Sequence, residues 1–414
     1  MQRYDTYKDS GVKWLGEIPS HWEVIKTSHL FTHIGSGTTP KSGSEEYYTE
    51  DGIPFLQTGD LNDGFIVDTS KKITEKALRD TNLTIYLQGS LVIAMYGATI
   101  GKLGILGIDT TVNQACCVLP KSPKVETRFA FYAYLAAKND LIFQSKGGGQ
   151  PNISQDTIKN ERIPVPSRAE QTAIANYLDT ATAKIDAAIA QQQKMIDLLN
   201  ERKQIIINRA VTKGLNPNAK MKDSGVEWIG EVPEGWEVMR MRYLCSITTG
   251  NKDTINRVDG GLYPFYVRSP KVERINTYSY DGEAVLMAGD GVGAGKVFHY
   301  VNGKFDYHQR VYNFYNIKKI KAKLLYYYMK SHFRYVIEQL SAKSTVDSVR
   351  LNMIQDFLVV IPPMQEQLDL IEYLDSQMKN LDDSISMFEN QISLLQERKQ
   401  IIINEVVTGK IKVV

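Results

Sequence analysis

Two stretches of the chain carry apolar residues at alternating spacings of three and four. In the later one these are Ile371, Leu374, Met378, Leu381, Ile385, Phe388, Ile392 and Leu395. In the earlier one they are Ala175, Leu178, Thr182, Ile185, Ile189, Gln192, Ile196 and Leu199, a weaker series with two polar interruptions. That spacing is the a/d seam of a coiled coil and predicts two long amphipathic helices. Pro166 and Pro363 suit their starts, and Gly214 and Gly409 their ends. At 1.5 Å per residue, about forty-five residues make a rod of roughly 65–70 Å, too long to bury its stripe in one small domain. Either each rod packs on its own globular part or another chain, or the two pair antiparallel. The chain leaving the first rod must pass through a second globular segment before starting the second rod, which suits the antiparallel pairing.

Ahead of each rod the pattern changes to short β-type runs separated by turn residues. Gly52–Gln57, Ile85–Ala94 and Gln114–Leu119 read as strands in the first segment, and Tyr263–Val267, Ala284–Met287 and Arg310–Asn316 in the second. Each segment then has one predicted helix, Glu126–Asp140 or Ile320–Leu340, followed by a loop of small polar residues, Ser145–Ser154 or Ser341–Ser348. The predicted fold class is α+β: two strand-rich mixed globular domains separated by a pair of long antiparallel coiled-coil helices, in a pseudo-two-fold tandem repeat. The boundaries drawn from these patterns are a connector over 1–23, a first globular domain over 24–162, a first long helix over 163–214, a connector over 215–237, a second globular domain over 238–358, and a second long helix with its tail over 359–414.

The repeat is literal in places. Glu201–Asn208 and Glu397–Asn404 are the same eight residues, each preceded by Leu-Leu. Pro166, Glu170-Gln171 and Tyr177-Leu178-Asp179 recur as Pro362, Glu366-Gln367 and Tyr373-Leu374-Asp375 at the same offset. Ahead of each domain, Lys8–Val24 matches Lys222–Val238, with Trp14/Trp228 and Trp22/Trp236 in register. Proline and glycine exclude a helix there, so the passage reads as an extended connector anchored by two tryptophans. The offset is 214 at this connector (Lys8 to Lys222) and 196 at the long helix (Glu201 to Glu397), so the first domain is the longer.

Charge separates the halves. Of 414 residues 43% are hydrophobic, enough for well-formed cores, and the net charge is only +2. Val24–Asn160 holds 13 Lys+Arg against 13 Asp+Glu, whereas Val238–Asp356 holds 18 against 10. The second domain is therefore basic and fits an anionic partner such as nucleic acid. Cys116, Cys117 and Cys245 have neither disulfide nor metal-ligand spacing and read as reduced thiols of a cytoplasmic protein. The N-terminal residues lack the apolar region of a secretory signal, and no apolar run is long enough to span a bilayer.

Tests for chemistry come out negative. Gly97–Lys102 (GATIGK) and Gly289–Lys296 (GDGVGAGK) approach a phosphate-cradling loop but lack its spacing or first glycine, and Leu103 and Val297 replace the hydroxyl that would reach magnesium. They read as tight turns between strands, or as turns that carry Lys102 or Lys296 to a DNA phosphate. The Asn/Asp-Pro-Pro-aromatic loop of an amino-methyltransferase has no counterpart, and His29 and His33 lack the glutamate of a zinc protease motif. No catalytic residues are assigned and no metal site. A DNA binder needs Arg, Lys, Asn, Gln and small hydroxyls on rigid turns. In the first domain the candidates are Thr38, Lys41, Gln57, Thr58, Lys102, Asn113, Gln114, Lys146, Gln150 and Asn152. In the second they are Asn251, Lys252, Arg257, Arg268, Lys296, His308, Gln309, Arg310, Lys343, Ser344, Thr345 and Arg350.

Each variable segment is introduced by Ser-Gly-Val-x-Trp-Ile/Leu-Gly-Glu-Ile/Val-Pro. Each is followed by a long helix with Val165-Pro166 or Ile361-Pro362 ahead of its Glu-Gln pair and Glu-Arg-Lys-Gln-Ile-Ile-Ile near its end. Taken together, these words and their order resemble the specificity subunit of a type I restriction-modification enzyme. The passage from Gly89 through Gly101-Lys102 to Asn113-Gln114, echoed by Gly295-Lys296 and His308-Gln309, also resembles that family's recognition domains, with His308 departing from the asparagine. The resemblance implies that each variable segment reads one half of a bipartite site in double-stranded DNA, while the helices set the spacing and dock two methyltransferase subunits. It also implies that S-adenosylmethionine, ATP and magnesium belong to partner chains, including restriction/translocase subunits. The competing reading is a coiled-coil interaction scaffold without a DNA role.

Overall fold

The computed structural model describes residues 2–145, 152–341 and 348–413. It divides into two units, the first made of residues 1–192 and 391–414, the second of 193–390. Four helices organise them: α1 (Thr127–Phe143), α2 (Arg168–Lys213), α3 (Ala322–Ser341) and α4 (Met364–Val407). The first unit holds α1, the first half of α2 and the last part of α4. The second holds α3, the last part of α2 and the first half of α4.

Within each unit the long helices run antiparallel. In the first, Lys399 Nζ of α4 donates to Asp186 Oδ1 of α2 at 2.7 Å, and Ile403, Val406 and Val407 share a core with Ile174, Ala175 and Leu178. In the second, Lys203 of α2 pairs with Asp382 of α4, and Ile207, Ala210 and Val211 share a core with Leu370, Leu374 and Met378. Of the a/d positions, Ala175, Leu178, Thr182, Ile185, Ile196, Leu374, Met378 and Leu381 are buried. Ile189, Gln192, Leu199, Ile385, Phe388, Ile392 and Leu395 are only half covered, because a pair of helices without a sheet against it leaves its seam partly in water.

The two sheets share a plan. In the first unit the strand order is Gly35–Ser36, Cys116–Leu119, Leu91–Ala94, Leu103–Leu106, Gly64–Ile66. In the second it is Ser246–Thr249, Val311–Tyr315, Tyr280–Ala288, Phe298–Tyr307, Tyr263–Tyr266, Glu273–Ile275. Helix α1 lies on Leu91–Ala94 and Leu103–Leu106, burying Ala130, Ala133, Tyr134, Ala137 and Leu141 at helical spacing. Helix α3 lies likewise on Tyr280–Ala288 and Phe298–Tyr307. The long second-unit strand Phe298–Tyr307 corresponds to two shorter ones in the first, Leu103–Leu106 and Thr111–Val112, which pair with different neighbours. Most of the extra length of the first domain lies here. The offset is 210 at the paired Phe55 and Phe265 but 195 at their partners Thr111 and Asp306, and the added chain carries the strand Gly64–Ile66 and the short helix Glu75–Asp80.

The connectors are hairpins rather than simple extended chain. Tyr7–Asp9 pairs antiparallel with Glu17–Pro19, and Met221–Asp223 with Glu231–Pro233. Proline ends each second strand and so removes no ladder donor from its interior. A further antiparallel pair, Glu23–Lys26 with Arg162–Val165 or Glu237–Arg240 with Leu358–Ile361, closes the base of each globular part.

The repeated words meet where hairpin, globular part and long helix join. Trp22 Nε1 donates to Glu170 Oε1 at 3.3 Å and Trp236 Nε1 to Glu366 Oε2 at 2.7 Å, at the N-terminal turns of α2 and α4. Gln171 Oε1 accepts from the Glu126 amide at the start of α1, and its Nε2 donates to the Pro166 carbonyl. Gln367 Oε1 accepts from the Lys321 amide, and Nε2 donates to the carbonyls of Lys319 and Pro362. Asp179 takes Arg128 and the Tyr132 hydroxyl; Asp375 takes Lys323 and the Tyr327 hydroxyl. Past the far ends of the helices sit Gly214 and Gly409, both at positive φ. A Cβ on Gly409 would lie 2.4 Å from Pro19 Cδ, and one on Gly214 would lie 3.1 Å from Trp236 Cζ2.

The other tryptophan of each connector is solved differently in the two units. Trp14 Nε1 donates to Glu161 Oε1 at 2.8 Å, a buried carboxyl whose pKa burial pushes up. Trp228 stacks on Phe357 with ring centroids 5.6 Å apart and borders His332, which is 1% exposed and stacks on Tyr328 at 4.7 Å. Burial drives the His332 imidazole down to about 4.

Two outcomes are expected for stability. Gln367→Ala removes the partner of three backbone groups, the Pro362 carbonyl in a buried bond, and should cost about 2 kcal/mol in denaturant unfolding, whereas exposed Gln365→Ala should stay within about 0.5 kcal/mol. Because the folded state holds the His332 pKa below the unfolded value, its contribution is complete above about pH 6.5 and is lost as pH falls toward 4. Wild type should therefore lose about 2 kcal/mol more than His332→Phe between pH 7 and pH 5, read from paired unfolding curves.

Candidate nucleic-acid interface

In each unit five segments converge at one corner of the sheet. In the first, Gly37 N donates to Asn113 O, Asn113 N to Leu56 O, and Met95 N to Ala115 O, while Tyr96 bridges Asn152. In the second, Gln309 N donates to Lys252 O, His308 N to Tyr266 O, and Gly289 N to Arg310 O, while Asp290 bridges Ser348. Three of these joints recur at equivalent positions, joining the end of Ile53–Leu56 or Tyr263–Tyr266, the glycine turn, the strand corner and the loop after α1 or α3, while the first loop crosses the same corner through a different bond in each unit. The approach is close. A Cβ on Gly37 would lie 1.5 Å from the Val112 carbonyl oxygen, and one on Gly250 2.0 Å from that of Tyr307, so only glycine admits the crossing.

The corner brings many of the predicted residues together. Thr38, Gln57, Thr58, Asn113, Gln114 and Asn152 surround it in the first unit; Asn251, Lys252, Arg268, His308, Gln309, Arg310 and Arg350 do so in the second. Gln309, Arg310 and Arg350 line a cleft there of about 280 Å³ together with Thr249, Asp290 and Ser348. Lys41 is exposed further along the first loop, and Arg257 follows the short 3-10 turn Thr254–Asn256 outside the cleft lining. Lys102 and Lys296 end turns that rest on α1 and α3, where a Cβ on Gly101 or Gly295 would touch Ile142 or Ile337. Those turns are the strand-to-strand connections expected of them. Lys146, Gln150, Lys343, Ser344 and Thr345 lie outside the described residues.

One candidate is corrected. His308 is 2% exposed, and its Nδ1 accepts from the Arg310 amide at 2.9 Å, so it is closed to a groove. Asn113 Oδ1 accepts from the Ala115 amide in the same i+2 pattern at 3.1 Å. Asparagine and histidine therefore share a role, capping the strand corner, and the residue each projects is the following glutamine. Gln114 Oε1 accepts from Thr39 Oγ1, while Gln309 Nε2 donates to Asp253 Oδ2 at 2.8 Å. Burial, then Arg268 and Arg310, hold the His308 pKa down against the pull of Asp253 and Asp290. Its remaining proton sits on Nε2, 3.6 Å from Asp253 Oδ2.

Asp290 went unnoticed in the sequence because it reads there as a defect in a phosphate loop. Its Oδ1 accepts from Arg268 Nη1 at 3.2 Å, and Oδ2 lies 3.6 Å from Arg310 Nε. Exposed pairs of this kind add little stability. What they do is hold two guanidinium groups, 47% and 65% exposed, side by side at the cleft mouth. A planar fork fixed in that way suits bidentate contact with a guanine edge or a phosphate. Among the described residues no group of three His, Cys, Asp or Glu is placed to hold a metal, and burial raises the thiol pKa values of Cys116, Cys117 and Cys245. No helix among them is long and apolar enough to cross a membrane.

A family model described as the type I restriction modification DNA specificity domain matches the chain twice, over residues 19–196 and 233–394. The chain is 26% identical over 435 residues to the type I restriction enzyme MjaVIII specificity subunit of Methanocaldococcus jannaschii, covering 98% of this chain and 97% of that one. It is 28% identical over 182 residues to the type I restriction enzyme EcoDI specificity subunit of Escherichia coli, covering 44% of this chain and 40% of that one. In fold it superposes with a TM-score of 0.68, at 15% identity and over 95% of this chain and 99% of the other, on a chain from a solved structure titled for complex assembly and conformational transition of the type I R-M system. With the two matches spanning most of its length, the chain belongs to the family of type I restriction-modification DNA specificity proteins.

Proposed function

We propose that this chain is the non-catalytic DNA-specificity subunit of a type I restriction-modification complex. Each globular part reads one half of a bipartite duplex site, the long helices fix the gap, and methyl transfer and cleavage are carried out by partner subunits that bring S-adenosylmethionine, ATP and magnesium. The observation that carries this reading is the corner itself: one set of backbone joints, built twice, presents different side chains. Thr39 and Gln114 stand in the first unit where Lys252 and Gln309 stand in the second, and Tyr96 and Asn152 where Asp290 and Ser348 stand. A scaffold copied with its tips changed is what reading two unlike half-sites requires.

Docking of methyltransferase subunits is supported by apolar side chains left in water on the long helices. Leu198 and Ile205 are 48% and 59% exposed on α2, and Leu394 and Ile401, at the equivalent positions of α4, are 64% and 46% exposed. Such a stripe on each helix, its two residues two turns apart on one face, fits the apolar face of a partner helix.

Genome-wide methylation mapping should return two half-sites with a constant gap when this chain is present and lose that motif when it is deleted. On a duplex carrying the motif, inserting one base pair in the gap should abolish methylation while changing the gap's sequence should not; equal tolerance of both would refute the spacing role. Arg310→Gln should lower affinity and, where the guanidinium neutralises one phosphate, flatten the slope of log K against log salt by about 0.9. Unchanged affinity and slope would remove Arg310 from the interface.

A further inference from the structure

Val292 is 96% exposed at the tip of the turn between Tyr280–Ala288 and Phe298–Tyr307, with Gly291 and Gly293 on either side. The turn is held at both limbs. Ala294 N donates to Gly291 O at 3.0 Å, Gly295 N donates to Ala288 O at 2.9 Å, and Asp290 is bridged to Ser348. It also rests on the backbone of Arg268. A Cβ on Gly293 would lie 2.3 Å from the Arg268 carbonyl oxygen, and one on Gly291 would lie 3.8 Å from Arg268 Nη1. Val292 thus follows directly on a residue that lies beside the Arg268 guanidinium, which Asp290 already orients. The first unit repeats the geometry, with Ile100 N donating to Gly97 O and Gly101 N to Ala94 O, and puts exposed Ala98 at the same tip. Both tips are apolar and both stand at the corner where the reading surfaces lie.

An apolar side chain finds one apolar feature on the major-groove edges of the base pairs, the C5-methyl of thymine. Side chains that part stacked bases as wedges are longer, typically Phe, Leu, Ile or Met, so a valine on a short turn suits the methyl contact. We propose that Val292 is a specificity-determining residue of the second unit, packing on the C5-methyl of a thymine in the base step next to the one engaged by Arg268. The assignment rests on the DNA-reading function proposed above. Burying one methyl-sized contact is worth about fourfold in affinity.

The test begins with selection of bound sequences from randomised duplexes by the full chain and by Val292→Ser and Val292→Ala. Each dT of the enriched second half-site is then replaced in turn by dU, which deletes the methyl and nothing else. For wild type, one replacement should weaken binding about fourfold, at a position adjacent to the one whose preference relaxes in Arg268→Gln. Val292→Ser should bind the dT and dU duplexes equally, with Val292→Ala between the two, and replacements in the other half-site should cost all three proteins the same. If wild type shows no sensitivity to any methyl, or Val292→Ser keeps all of it, the thymine contact is wrong while DNA reading stands. If wild type enriches no sequence at all, the function on which the proposal rests is what fails.

Discussion

A buried amide at the head of each long helix is the constraint from which the rest of the architecture follows. Gln171 and Gln367 are 2% and 1% exposed, and each ties the start of α1 or the approach to α3 to the first turn of α2 or α4 through backbone hydrogen bonds. Polar groups at that depth are tolerated only when paired, so the angle between globular part and helix is set by hydrogen bonds rather than by greasy contact that could slide. The glutamate one residue earlier holds the hairpin tryptophan, and the aspartate two turns later holds a tyrosine and a base. Each of these partners lies in a different part of the chain, which is why the repeated words survive as short islands rather than as a continuous copy.

Much of this was legible in the sequence. The a/d spacing located both long helices, and the offsets located the duplication. What escaped has a physical reason in each case. Proline and glycine excluded helix in Lys8–Val24 but could not tell extended chain from a hairpin whose pairing is made by Tyr7–Asp9, residues that carry no strand signal of their own. Ile85–Ala94 looked like one strand, yet only Leu91–Ala94 is one, because Tyr86 turns inward to bridge Thr110 while Ile85 and Leu87 face water. His308 looked like a reader because its burial depends on a crossing loop that only Gly250 permits, and nothing local in the sequence announces a contact between residues so far apart.

The corner also separates what must be kept from what is free to change. Gly37 and Gly250, the caps Asn113 and His308, and the limbs of the glycine turns are fixed by backbone approach, and substitution there deforms the surface whatever the target. The side chains standing on that frame answer to no such demand. Gln114, Gln309, Arg268, Arg310, Ala98 and Val292 are turned outward, and their partners within the chain, where they have them, are surface groups of modest worth. A corner built this way can exchange its outward side chains without re-solving the fold.

The long helices impose a last condition. Each gives one part of its length to the first unit and another to the second. The second unit is the continuous stretch 193–390, whereas the first is completed only by the chain's last segment, where Lys412 N donates to Gln2 O and the Tyr7 hydroxyl to Gly409 O. Loosening α4 near Gly409 therefore withdraws packing from Trp22 and Pro19 at the base of the first unit, just as loosening α2 near Gly214 withdraws it from Trp236 in the second. Each long helix thus meets a tryptophan at both ends, through Glu170 or Glu366 at its beginning and past Gly214 or Gly409 at its finish.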